Sequence, residues 1–259
     1  MTDRFLDDLS TIAREAGALA MAKWRGDFAQ WDKSPGHPVS EVDLAVNQFL
    51  RDQLRKLDPH AGWLSEETAD NAERLMIPRV WIVDPIDGTR DFVRGRRGWS
   101  ITIARAEGGV VTHGVLDAPA RDEHWCAAMG GGASRNGVPL SASTRMELSG
   151  ARVPTDALPK IDLDLTIVEK PNSIALRIAK VGADEADLVA SIRWGHEWDI
   201  AAAALIAQEA GAMVTDAHGG TLRYTSTKGE AFGVLATSPG IHAAAVARLA
   251  DRARAAAIR

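Results

Sequence analysis

The sequence predicts an α/β protein with an α+β N-terminal half and an α/β C-terminal half. Two observations carry this. Apolar residues recur every three or four positions near both ends and in the middle of the chain, as amphipathic helices require. Between these segments lie short runs rich in β-branched and aromatic residues, bounded by glycine, proline and asparagine, which read as strands. With 259 residues, 46% of them hydrophobic, the chain can bury a large core as one large domain or two closely packed halves.

Phe5, Leu9, Ile12, Ala16 and Leu19 place a first helix that ends near Trp24-Arg25-Gly26. From Asp27 to Pro38 the period disappears, and Lys33, Ser34, Pro35, Gly36 and Pro38 predict a loop able to reach over a site. Val42, Val46, Phe49, Leu50, Leu54 and Leu57 restore helical spacing. Ser40-Glu41-Val42-Asp43 reads as a capping box, which by itself accounts for Asp43. Gly62 to Thr68 reads as a short strand delivering Glu66 and Glu67 at its end, or as a solvated glutamate pair opening a helix.

Trp81-Ile82-Val83-Asp84 is a buried strand expected to end at Pro85, which cannot donate to a sheet ladder. Thr89 to Val93 can open a short helix. Arg94-Gly95-Arg96-Arg97-Gly98 is a basic loop, either simply solvated or steering an anion. Strands follow at Trp99 to Ala104, Val110 to Leu116 and His124 to Ala128. Gly130-Gly131-Gly132 signals a turn and Asn136-Gly137 a tight hairpin. A boundary near residue 140 would divide the chain into halves 1–140 and 141–259.

In the second half, Asn172 to Val181 reads as a helix with Ser173 near its start. Trp198 to Ala210 reads as a buried, strongly apolar helix closed by Gly211. Asp199 would then be a first-turn carboxylate favoured by the helix dipole. Residues 214 to 236 alternate strands with turns at Asp216 and Gly219-Gly220, and Ser238-Pro239 starts a terminal amphipathic helix.

Chemistry gathers at the end of the Trp81 strand. Asp84 and Asp87 set two carboxylates three residues apart, Pro85 stiffens the turn, and Gly88 permits a backbone angle that a side chain would forbid. Such hard oxygen ligands suit Mg²⁺, which bridges to substrate phosphate, while amides at Gly88 and Thr89 would face an anion. Asp-Pro and Asp-Gly are also ordinary turn dipeptides, so this stretch alone leaves a plain turn open.

The run Asp84-Pro85-Ile86-Asp87-Gly88-Thr89 resembles the first signature of the inositol monophosphatase family. Trp198-Asp199-Ile200-Ala201-Ala202, continuing to Glu209-Ala210-Gly211-Ala212, is similar to the second, with Ala212 where the family has glycine. Ser65-Glu66-Glu67 resembles the family's Gly-Glu-Glu segment, and Val39 to Asp43 its Val-Thr-x-x-Asp setting. The resemblance implies a layered α-β-α-β-α sandwich with the site between the halves. It implies that Glu66, Asp84 and the Ile86 carbonyl hold one Mg²⁺ and that Asp84, Asp87 and Asp199 hold a second, with a third near Glu66. Thr89 would orient the attacking water with Asp43, the Gly88 and Thr89 amides would hold the phosphate, and Asp87 would touch substrate. Hydrolysis of a phosphate monoester without a covalent intermediate follows, with Li⁺ sensitivity and a homodimer as further family traits.

Where inositol monophosphatases carry a Glu-x-Gly before the Trp-Asp pair, this chain has Arg193-Trp194-Gly195. An arginine suits a second phosphate and Trp194 can stack on a base, although Arg193 also reads as a surface ion pair. The likeness to bacterial 3'(2'),5'-bisphosphate nucleotidases puts adenosine 3',5'-bisphosphate first among substrates, inositol monophosphate second and other sugar phosphates third. A non-catalytic interaction protein on the same scaffold is the reading of another class. A net charge of -5 argues against nucleic acid polymers and anionic membranes as partners. The single Cys126, the lack of a basic and then apolar leader, and the lack of a membrane-length apolar run point to the cytoplasm.

Overall fold

In the computed structural model, which describes residues 3–257, helix α1 (Arg4–Lys23) is capped by Asp3, whose carboxylate accepts from the Phe5 and Leu6 amides. Met1 and Thr2, which open the stretch read for a leader, lie outside the described residues. Helix α2 (Glu41–Leu57) begins with the expected capping box: Ser40 Oγ accepts from the Val42 and Asp43 amides, and Asp43 accepts from the Ser40 amide at 2.9 Å. The segment expected to be a loop is instead an antiparallel hairpin, β1 (Gln30–Ser34) and β2 (His37–Ser40). Every residue of β1 is exposed, so no buried face imprinted a period on it. Pro38 is tolerated because a two-stranded ribbon has free edges.

Strands β3 (Gly62–Ser65), β4 (Arg79–Asp87), β5 (Ser100–Glu107), β6 (Val110–Ala118), β7 (Glu123–Ala128), β8 (Gly132–Arg135) and β9 (Val138–Pro139) form one sheet in that order. β3 and β4 pair parallel, and the later neighbours pair antiparallel. The predicted tight hairpin joins β8 to β9, with Asn136 and Gly137 both at positive φ, 51° and 78°. The expected strand end at Pro85 is corrected: β4 runs on to Asp87, which pairs with Ser100. The register shifts between Asp84 and Asp87, so the missing proline N–H falls in a bulge where it removes no ladder bond.

Period-two alternation along β4 decides the layering. Trp81 and Val83 pack with Leu9, Val46 and Leu50 of α1 and α2. Val80 and Ile82 face the opposite way, onto helices α4 (Ile174–Gly182) and α5 (Ala201–Glu209). Behind those helices lies a second sheet in the order β12 (Leu188–His196), β14 (Glu230–Thr237), β13 (Met213–Thr215). Its Val189, Val234 and Val214 join the same core as α4 and α5, which is why α5 is apolar all round: sheets cover it on both sides. Helix α6 (His242–Ala257) closes the far face through Ala245 and Leu249 against Leu188 and Leu235. The layers are therefore α-β-α-β-α, as expected.

A small parallel pair, β10 (Arg152–Pro154) and β11 (Thr166–Val168), flanks this body. Two further corrections concern the C-terminal half. Residues 188–196, read without an element, form β12, whose alternation is broken by a register shift between Ser191 and Trp194. Helix α5 starts at Ala201, so Asp199 stands in the preceding turn rather than in the first helical turn. Among the described residues no helix is long and apolar enough to cross a membrane.

Candidate active site

The end of β4 turns directly into α3 (Thr89–Val93) through Gly88, whose φ of +92° lies in the left-handed region that glycine alone adopts without strain. A Cβ there would sit 2.8 Å from both the Gly98 carbonyl oxygen and the Ser173 amide, so the turn is closed to side chains from two sides. The close approach brings α4 onto the strand end. Ser173 Oγ donates to Asp87 at 2.5 Å and the Ala175 amide donates to the same oxygen at 2.8 Å. Asp84 accepts from the Ile86 amide at 3.0 Å, which fixes the bulge.

Asp199 arrives from the other half of the chain. Its turn is held by Thr102 of β5, which donates to the Trp198 carbonyl at 3.1 Å, and by the buried Glu197, which accepts from the Thr225 and Ser226 amides at 2.6 and 2.8 Å. One oxygen from each of Asp84, Asp87 and Asp199 then lies within 4.8 Å of the others. No arginine or lysine ion-pairs with any of the three among the described residues.

Three converging carboxylates without a cation are electrostatically frustrated, and their proton affinities record it. Burial pushes Asp84 well above the usual carboxylate range, and Glu66, Asp87 and Asp199 push it further. Asp199 rises for the same reasons, burial first and then Asp87 and Glu66. Burial also lifts Asp87 to about 6, against the opposing pull of Ser173 and Ala175. A hard divalent cation would relieve this repulsion, and the all-oxygen donor set fits one.

Asp43 resolves two readings at once. Its Oδ2 closes the capping box, while its Oδ1 accepts from Thr89 Oγ1 at 3.2 Å. The same hydroxyl lies 2.9 Å from the Ile86 carbonyl, so two acceptors compete for one proton. Burial raises Asp43 to about 6 although Ser40 donates to it. Glu66 follows the end of β3 and adds its field to Asp84, with which it shares a hydrogen bond. Lys33, on the hairpin that reaches over this edge, pairs with Glu66 at 2.8 Å and Glu67 at 2.6 Å.

Of the residues expected to touch substrate, Arg193 is exposed on β12 and its charge is felt by Asp199. Trp194 is 39% exposed and packs edge-on against Phe232 across the strand pair, ring centroids 5.5 Å apart. The basic loop after α3 is mostly solvated, with Arg97 donating to the Ala120 carbonyl and Arg96 4.0 Å from Asp91. Two residues near the carboxylates were not singled out from sequence. Ser173 was read as a helix opener, and its N-cap position was the signal. Arg177, a helical arginine like any other in sequence, gave none.

Five alternating layers with three aspartates gathered at one strand end define an α/β fold whose all-oxygen donor set could hold a cation. More particularly, the chain belongs to the inositol monophosphatase family, whose sequence profile matches residues 2–255, and is a phosphoric monoester hydrolase. It is 34% identical over 227 residues to a fructose-1,6-bisphosphatase/inositol-1-monophosphatase of Thermotoga maritima, covering 83% of this chain and 85% of that protein. An inositol monophosphatase of Dictyostelium discoideum is 32% identical over 256 residues, 92% of each chain. The solved structure of a Thermotoga maritima inositol monophosphatase superposes with a TM-score of 0.83 at 30% identity, over 98% of this chain and 99% of that one.

Proposed function

We propose that this phosphatase is Mg²⁺-dependent and hydrolyses adenosine 3',5'-bisphosphate. Asp84, Asp87 and Asp199, with Glu66 and the Ile86 carbonyl beside them, would hold the Mg²⁺ ions, which when bound acidify water and neutralise phosphoryl charge. The chain's own residues do the rest. Thr89 Oγ1 accepts from the attacking water and passes its own hydrogen bond to Asp43, which orients the nucleophile and offers a carboxylate to receive the proton. The Gly88 and Thr89 amides at the opening of α3 hold the phosphoryl group.

The observation that carries the substrate reading is Arg193, exposed on β12 shortly before Asp199 in the chain, where inositol monophosphatases carry a glutamate. A neutral polyol has no use for it, whereas a second phosphate does. Support also comes from the Thermotoga maritima relative, whose name includes a bisphosphatase. The names of both reported relatives equally favour a second reading, an inositol monophosphatase. Phosphate release measured with Mg²⁺ across adenosine 3',5'-bisphosphate, inositol 1-phosphate and a sugar bisphosphate separates them. The nucleotide should show the highest kcat/KM. A preference for inositol 1-phosphate would establish the second reading, and no release from any of the three would point to a different phosphate monoester.

A further inference from the structure

Glu66 and Asp199 stand far apart in the chain, yet one loop touches the elements that carry both. That loop is Thr225 to Gly229, which leads into β14. On one side its Thr225 and Ser226 amides donate to the Glu197 carboxylate at 2.6 and 2.8 Å, and its Gly229 carbonyl accepts from the Glu197 amide at 2.9 Å. Glu197 is fully buried and stands two residues before Asp199. On the other side the loop lies against β3: a Cβ on Gly229 would sit 3.1 Å from Leu64 Cδ1, two residues before Glu66.

Arg74 clamps the same loop a second time. It belongs to a short 3₁₀ turn (Ala72–Met76) and is only 2% exposed. Its Nη2 donates to the Ser226 carbonyl at 2.9 Å, while Nε and Nη2 fork onto Asp70 at 2.6 and 2.7 Å. It also packs on the start of β3, where a Cβ on Gly62 would meet Arg74 Cβ at 3.0 Å. Ser226 is therefore held through its amide by Glu197 and through its carbonyl by Arg74.

The backbone of the loop shows what this hold demands. Thr225 has a φ of +63°, in the left-handed region that β-branched residues avoid, and such strain persists only where the surroundings over-determine it. Here it turns two successive amides onto one carboxylate, the arrangement by which backbone turns grip anions. An apolar side chain at position 197 would close the core at lower cost than a buried carboxylate. The carboxylate instead ties the turn before Asp199 to the loop that rests on β3.

We infer that Glu197 is a positioning residue: through the Thr225–Gly229 loop it fixes Asp199 relative to the end of β3, and so sets the affinity of the cation that Asp84, Asp87 and Asp199 would share. Arg74 is the second anchor of that loop. The inference rests on the metal reading above and not on the choice of substrate. In the competing, purely structural role these contacts add stability, and the aspartates keep their places without them.

The test titrates Mn²⁺, which takes hard oxygen ligands as Mg²⁺ does, into the metal-free full chain by calorimetry, well below the thermal midpoint of every variant. The variants are Glu197→Gln, which keeps the shape and one acceptor, Arg74→Gln, the double variant, and Asp187→Asn. The last breaks a buried ion pair with Arg152 and measures the effect of destabilisation alone. Glu197→Gln should weaken Mn²⁺ binding about 10- to 100-fold, as loss of residues that orient metal ligands does. The Mg²⁺ concentration giving half-maximal phosphate release should rise by a similar factor. Arg74→Gln should weaken binding less, and the double variant by less than the product of the two, because both residues hold one loop. Asp187→Asn should lower the midpoint and leave affinity unchanged. A Glu197→Gln protein that melts earlier but binds Mn²⁺ like wild type overturns the positioning role, and should that variant not fold, Arg74→Gln carries the same comparison. A wild type that binds no Mn²⁺ overturns the metal reading and this inference with it.

Discussion

Two carboxylate sites in this molecule, a cluster of three aspartates and the lone buried Asp187, have opposite electrostatics. At the end of β4, Asp84, Asp87 and Asp199 converge with no cationic side chain in contact, and burial with mutual repulsion raises all three. Beside β10, Asp187 is also buried, and burial alone would raise it too. Yet it accepts from Arg152 Nε and Nη2 at 2.9 and 2.8 Å and from the Arg152 amide at 2.9 Å, and it lies at about 2. The fold evidently can neutralise a buried aspartate. Where it leaves three unneutralised, the charge is held for something the chain does not itself supply.

Breaking the first cluster should have the largest effect. Asp84→Asn removes the carboxylate that the other acids press on, so phosphate release with Mg²⁺ should fall by at least about 100-fold. The thermal midpoint of the metal-free variant should hold level or rise, because a repulsive charge has gone. Near-normal turnover, or a collapsed midpoint, would make this cluster structural like the other.

The second site should respond in reverse. Asp187→Asn should cost about 3 kcal/mol in urea denaturation at neutral pH and leave turnover per folded molecule unchanged. The folded pKa of Asp187 is depressed from 3.8 to about 2, so its contribution is complete above the ordinary carboxylate value and is lost as pH falls through about 2. The stability gap between wild type and variant should therefore narrow across that window. A gap that does not change with pH would mean the ion pair is not its source.

An exposed pair gives the smallest expected change. Arg254 meets Asp251 on α6 with both side chains mostly exposed, so Arg254→Gln should shift unfolding stability by less than about 1 kcal/mol. A larger shift would show that this pair contributes to the docking of α6.

Much of this was legible because local chemistry and the final structure agree. The apolar run before Asp84, the capping box at Ser40 and the all-apolar α5 each follow from residues close in sequence. What escaped depended on partners far away. β1 has no buried face, β12 loses its alternation at a bulge, and Pro85 fits inside β4 only because β5 shifts register there. Arg177 is the plainest case, since it bonds the Asn172 and Ser173 carbonyls of a turn that meets Asp87 only in space.

The strand order of the large sheet bears on how the protein is made. From β4 to β9 each strand pairs antiparallel with the next in the chain, so this part of the sheet can zip up hairpin by hairpin as it leaves the ribosome, with little loop entropy to overcome. Asp84 and Asp87 are in place once β4 and β5 have paired. Asp199 is synthesised much later and reaches them only when α5 docks between the two sheets. A nascent chain that stops short of this point would carry a folded sheet with an open, two-carboxylate edge. Cation capture would thus be a late event in biogenesis, and it would distinguish finished molecules from partial ones.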